Sequence, residues 1–344
     1  MQIFPSRAER APRLKRPPAR HDQAGFTLIE VIISVAIMMV VSGTVLDGVF
    51  RLSKTGQTVS NRSAMHSGVR NATELLQQEV GQAGRVALPN LVRLTAAVTT
   101  TGAATATVKA VNQAGATISG ASGTSSMFVG EQILVGAGAS EETVTITGLP
   151  SATQFTAVFG STHLVDEPVR AYGGFAYGVI PTTVANGSTG TAMKIIGDIN
   201  SDGNIEYLQY DCVIPSPPAV GNLYRRTMAI NATTKPTMVA SMSLLNNVVA
   251  NPDLGLCFTY QERTVAGTVY VVDVAITLTV QTQDKDAVTG LFQTETKALL
   301  NVSPRNVFNV WQLAGLNAMT RVQPNITAVP SMLPANVSTL IGLP

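Results

Sequence analysis

Residues Phe26–Leu46 read FTLIEVIISVAIMMVVSGTVL, a run of 21 with a single charge, Glu30. At 1.5 Å per residue a helix of this length covers roughly 31 Å, about the hydrocarbon thickness of a bilayer. The run is too long for the core of a secretory signal, and no A-x-A site follows it. Upstream, residues 1–25 hold six basic residues (Arg7, Arg10, Arg13, Lys15, Arg16, Arg20) against Glu9 and Asp22. A positive flank stays in the cytoplasm, so the rest of the chain is expected on the other side of the membrane. Glu30 is the anomaly, because a carboxylate inside a span costs roughly 2.5–3.5 kcal/mol on insertion scales. It either serves a function or sits at the interface on a loose helix end.

The stretch Gly25-Phe26-Thr27-Leu28-Ile29-Glu30-Val31 resembles the processing motif of type IV prepilins and type II secretion pseudopilins. The resemblance implies that a membrane prepilin peptidase cuts after Gly25 and that the new amino-terminal Phe26 is methylated. It also implies that Glu30 attracts the amine of a neighbouring subunit and sets axial register in a filament. The physics is compatible. A cut there would leave a cationic amine in a low-dielectric setting, with Glu30 one helical turn away, where an ion pair is poorly screened. A buried pair can serve specificity in this way.

Beyond the span, apolar residues recur at Val45, Val49, Leu52, Val59, Met65, Val69, Ala72, Leu76, Val80 and Ala83. Steps of three and four predict that one helix continues to about Gly84, roughly 88 Å in all, and packs its outer half on a sheet. Gly43, Gly48 and Gly56 are weak points within it. Gly81, Gly84 and Pro89 end it. The helix is assigned to 26–85, with 26–46 transmembrane, after a basic leader at 1–25.

From 90 to 172, Ala, Gly, Ser and Thr dominate, and Val144 and Ile146 alternate with Thr143, Thr145 and Thr147. This period of two predicts a small all-β insert with strands near 104–111, 132–135, 143–147 and 154–159. It reads as a surface-decorating module or as an adhesive, partner-binding one. Residues 175–310 read as antiparallel sheet, with strands near 193–196, 205–212, 223–230, 256–262, 269–282 and 295–302. The order of these elements, with Leu223-Tyr224-Arg225-Arg226 and a closing Pro304-Arg305-Asn306, is similar to the larger minor pilins of the PilW type and the J-class pseudopilins. The fold class is therefore α+β and pilin-like: a long transmembrane helix packed on an antiparallel sheet that carries an inserted β module. Residues 311–344, rich in Pro and Asn, read as a loose tail.

Three features invite chemistry. Asp198, Asn200 and Asp202, with Gly203, Asn204 and Glu206, match the front of a calcium loop. Gln209 stands where the bidentate carboxylate belongs, however, and Asp-Gly between strands is equally a hairpin turn. No cofactor is expected other than this calcium. Cys212 and Cys257 lie outside the membrane and are either a disulfide or two buried thiols. His66 and His163 are isolated in sequence and are expected at the surface.

Composition narrows the function. Charged residues are 13% and apolar residues 45% of the 344, which excludes a disordered chain. Outside the leader, 17 basic residues face 19 acidic ones. Such a body has no basic surface for direct nucleic-acid binding. Nucleophile elbows, H-E-x-x-H and P-loop motifs are absent. The chain is thus expected to be no enzyme but the substrate of one. The resemblance implies a minor pilin or pseudopilin in a type IV pilus or type II secretion pseudopilus. Its partners would be prepilin peptidase, other pilins and the inner membrane of a bacterium. The alternative is a single-pass anchored adhesin that binds through the β insert.

Overall fold

The structure is a computed structural model that describes residues 25–216, 219–230, 232, 234–252, 255–317 and 323. The leader before Gly25 lies outside the described residues. Helix α1 spans Leu28–Gln82 and passes through the boundary at Gly56/Gln57 between two compact units, which are taken separately.

In the first unit, α1 is the element seen among the described residues. It stays helical through Gly43, Gly48 and Gly56, the expected weak points. Its apolar side chains are exposed throughout, Ile37, Met38 and Val40 among them. Water would not tolerate such a surface, and lipid or other apolar helices would cover it. It is the one helix among the described residues long and apolar enough to cross a membrane.

In the second unit, α1 continues from Gln57 and turns one stripe inward: Met65, Val69, Ala72, Leu76 and Val80. The stripe packs on Ile195, Leu208, Tyr210, Leu223, Val274 and Leu278 of a sheet. Gly84, at φ +78°, turns the chain away and donates its N–H to the Ile196 carbonyl at 2.8 Å. A Cβ there would meet the Phe175 carbonyl oxygen and Val307 Cγ2 at 3.0 Å, so the position takes glycine for space as well as for torsion.

Next comes a barrel of six strands: β1 (Leu91–Leu94), β2 (Gly102–Val111), β3 (Gln132–Val135), β4 (Glu142–Ser151), β5 (Gln154–Phe159) and β6 (Pro168–Ala171). Their order is β1-β2-β5-β4-β3-β6, closed on itself, with every neighbour antiparallel. Closure leaves no unpaired sheet edge. Val144 and Ile146 point inward with Leu94, Val108, Ile133, Phe155 and Phe159, which together fill the interior. Two four-residue strands, β1 and β6, close the barrel.

The sheet comprises β7 (Ala192–Gly197), β8 (Glu206–Val213), β9 (Gly221–Ala229), β10 (Ser243–Val249), β11 (Phe258–Val265), β12 (Thr268–Gln281) and β13 (Thr294–Val302). Strands β7 to β10 follow one another antiparallel, and β12 pairs with β10, β11 and β13. Helix α1 covers one face. The other face, with Ile196, Tyr207, Tyr270 and Val272, is covered by Val307, Val310 and Ala314 of a second helix, α2 (Arg305–Gly315). That helix corrects the expected sheet boundary at 310 and the loose tail from 311. Val307, Val310 and Ala314, at helical spacing, bury an apolar stripe after Pro304, which here caps the helix. Beyond Asn317 the tail lies outside the described residues except Gln323, which is buried.

Candidate functional site

Gly25, Phe26 and Thr27 stand just before α1 and are not helical. Phe26 is 87% exposed, and a Cβ on Gly25 would meet nothing within 4 Å. The peptide between them is thus outside the helix and open to approach. Glu30 sits in the first turn of the helix. Its Oε2 accepts hydrogen bonds from the Thr27 N–H and the Thr27 hydroxyl, both at 2.9 Å. The Glu30 N–H donates to Thr27 Oγ1 at 3.4 Å, and the Val31 N–H to the Thr27 carbonyl at 3.2 Å. Glu30 therefore closes a reciprocal cap on its own helix. Sequence reasoning treated it as a bare charge, although the spacing of Thr27 and Glu30 was there to be read.

The other candidates lie apart in the second unit. Asp198 is fully buried, and its Oδ2 is 3.7 Å from Arg85 Nε. Arg85 also donates to Ser201 Oγ at 2.5 Å. A guanidinium thus already stands beside the first would-be calcium ligand. Asn200 Oδ1 accepts from the Asp202 N–H at 3.1 Å, and Asp202 Oδ1 from the Asn204 N–H at 2.7 Å. That second bond holds the Asp202 carboxyl below its ordinary range. These are the bonds of a self-capped turn. Among the described residues no three His, Cys, Asp or Glu side chains gather as a metal site. Cys212, on β8, and Cys257, just before β11, form a disulfide across 45 residues.

His163 overturns the expectation of a surface residue. It is buried, with Nδ1 2.8 Å from Glu167 Oε2 and Nε2 2.7 Å from Glu142 Oε1. Desolvation, the largest single influence, pushes both carboxyls up, yet the His163 bonds and charge together with neighbouring donors outweigh it and leave both below the usual range. Glu142 is helped by the Gly160 and Ser161 N–H groups, Glu167 by Ser140 and the Leu164 N–H. The i, i+4 spacing of His163 and Glu167 was visible in sequence, whereas Glu142 is brought in by the barrel. His66 is half-exposed and pairs with Glu295.

Two buried acids went unremarked in the sequence. Glu79 of α1 accepts from the Tyr210 hydroxyl and from Arg225 Nη2 at 2.6 Å and Nε at 3.0 Å, which ties helix to sheet. Glu131 is fully buried in the barrel region. Its Oε2 accepts from the Phe128 N–H at 3.3 Å, while Oε1 has no hydrogen-bond partner. Burial drives its carboxyl up to about 8. Glu79, Glu142 and Glu167 thus act as structural ties, while Glu131 Oε1 and both carboxyl oxygens of Asp198 lack a hydrogen bond, and among the described residues none of these acids stands in the nucleophile, base and orienter arrangement that acyl transfer requires.

Residues 20–46 match the family model for the prokaryotic N-terminal methylation motif. No curated protein and no solved structure matches the chain. The match covers the leader's end, Gly25, Phe26, Glu30 and the apolar start of α1, and supports a prepilin-type amino terminus of the kind that prepilin peptidase processes, in a structural rather than catalytic class of protein.

Proposed function

We propose that the chain is a minor pilin or pseudopilin. It is made as a precursor in a bacterial inner membrane, with its second unit outside the cytoplasm. It is cut after Gly25, methylated on Phe26, and assembled with other pilins. The carrying observation is the methylation motif placed at the exposed start of a bare apolar helix. Glu30 then meets the Phe26 ammonium of an adjacent subunit, at a depth where charges are weakly screened.

The minor role follows from bulk. A six-stranded barrel added to every subunit would crowd a helical lattice, whereas a few copies can prime assembly or sit near a tip. The element order of residues 175–310 favours the PilW type or the J class.

The test is expression of the full chain with a prepilin peptidase, followed by intact mass and pull-down of other pilins. The product is expected to begin at Phe26 with one added methyl group. Gly25→Ala is expected to leave full-length precursor in the membrane. A mature protein that keeps residues 1–25 would overturn the reading, and a cleaved one that captures no pilin would favour the anchored adhesin.

A further inference from the structure

The reciprocal bonds between Thr27 and Glu30 do something that the charge of Glu30 alone does not. They fix where α1 begins. Thr27 is the residue before the helix and Glu30 its third member, so each side chain satisfies the other's backbone N–H. At a helix start four N–H groups lack internal partners, and in hydrocarbon there is no water to take them. Without the cap, winding the helix back by a turn would carry those open groups toward the aqueous interface. Little in the sequence opposes that. Gln23, Ala24 and Phe26 are all tolerated in helices, and Gly25 is the single poor helix former of the group. A helix extended in this way would enclose the Gly25–Phe26 peptide.

A wound peptide bond is a poor substrate, since its carbonyl and N–H are engaged along the helix and side chains crowd it. Hydrolysis must add one water across the bond, leaving a carboxylate on Gly25 and an ammonium on Phe26, and this needs extended backbone. We propose that Thr27 and Glu30 are positioning residues for the cut: their box starts the helix two residues past the Gly25–Phe26 bond and keeps that bond unwound for the peptidase. Here Glu30 acts as a hydrogen-bond acceptor, a task separate from its charge in the filament. The inference rests on cleavage after Gly25, as proposed above.

The experiment is a time course of precursor cleavage, using the full chain in membranes with prepilin peptidase and normalising to inserted precursor. Thr27→Val keeps the side chain's shape and removes the hydroxyl, and it is expected to slow cleavage about fivefold, the size of a lost N-cap. Thr27→Ser restores the wild-type rate. Glu30→Val is slowed to a similar extent, and the Thr27→Val/Glu30→Val double variant no further, because both break one device. Cleavage of Thr27→Val at the wild-type rate would overturn the inference. So would a Thr27→Ser variant as slow as Thr27→Val, or a double variant whose effects multiply. If the wild-type chain is not cut at all, the functional reading fails first and takes this inference with it.

Discussion

Glu131 shows how one side chain can set the pH response of the folded unit. Its proton is held up to about pH 8 in the native state, against an ordinary 4.5. Between those values the unfolded chain has already released the proton, so stability is full below the ordinary value and is lost as pH rises through the folded one. The span corresponds to a loss on the order of 5 kcal/mol at full ionisation. Glu131→Gln keeps an acceptor for the Phe128 N–H and removes the titration. Its melting temperature is expected to stay flatter than wild type's between pH 5 and 8, measured by thermal unfolding in detergent. Equal slopes would refute it. Glu142 and Glu167 work in the opposite sense. Their depressed carboxyls stabilise above the ordinary carboxylate range, and that contribution is lost as pH falls through the folded values. None of this was legible at Glu131, since a lone acid between Gly130 and Gln132 reads as surface. Burial that arises only when six strands close has no local signature.

At the scale of elements, α1 was the most legible part, because its apolar steps of three and four persist from the span into the buried stripe of Met65 to Val80. What holds it to the sheet was not. Glu79 lies on the buried side, 146 residues from Arg225 in sequence, and only the packed arrangement brings Tyr210 and Arg225 to it. Removing one member leaves buried charge without its counterpart. Glu79→Ala is expected to cost about 3–5 kcal/mol. Arg225→Ala costs at least as much, because it leaves the more deeply buried charge, Glu79, without its cation, and the pair together costs less than the sum. Urea unfolding of the detergent-solubilised chain measures this, and strict additivity would show that the contact carries little. Among strands, those with clear alternation such as β4 were readable. The closing strands β1 and β6 are four residues each and were not read, whereas β3, equally short, was. Helix α2 was hidden by its neighbour, since Pro304 read as a stop when it is the residue that opens a helix.

Over the whole molecule, the disulfide joins β8 to the approach of β11 within the sheet. Its 45-residue loop is worth about 4 kcal/mol by chain-entropy arithmetic. Reductant, or Cys212→Ala with Cys257→Ala, is expected to lower the melting temperature by several degrees, and no change would mean that the loop is ordered without the bond. Larger connections matter in the same way. Gln323 donates its N–H to the Gly174 carbonyl at 3.2 Å, and its side chain bonds both the N–H and the carbonyl of Gln132, at 2.9 and 2.8 Å, as well as the Tyr172 carbonyl. It thus stitches barrel strand β3 to the segment that leads from β6 into the sheet. The ribosome adds this stitch after every strand it joins. Ser126 bonds Asn204 and Phe128 stacks on Phe175 without it, so barrel and sheet can meet before Gln323 is made, and this one part of the seam is sewn only after every strand it binds has been translated.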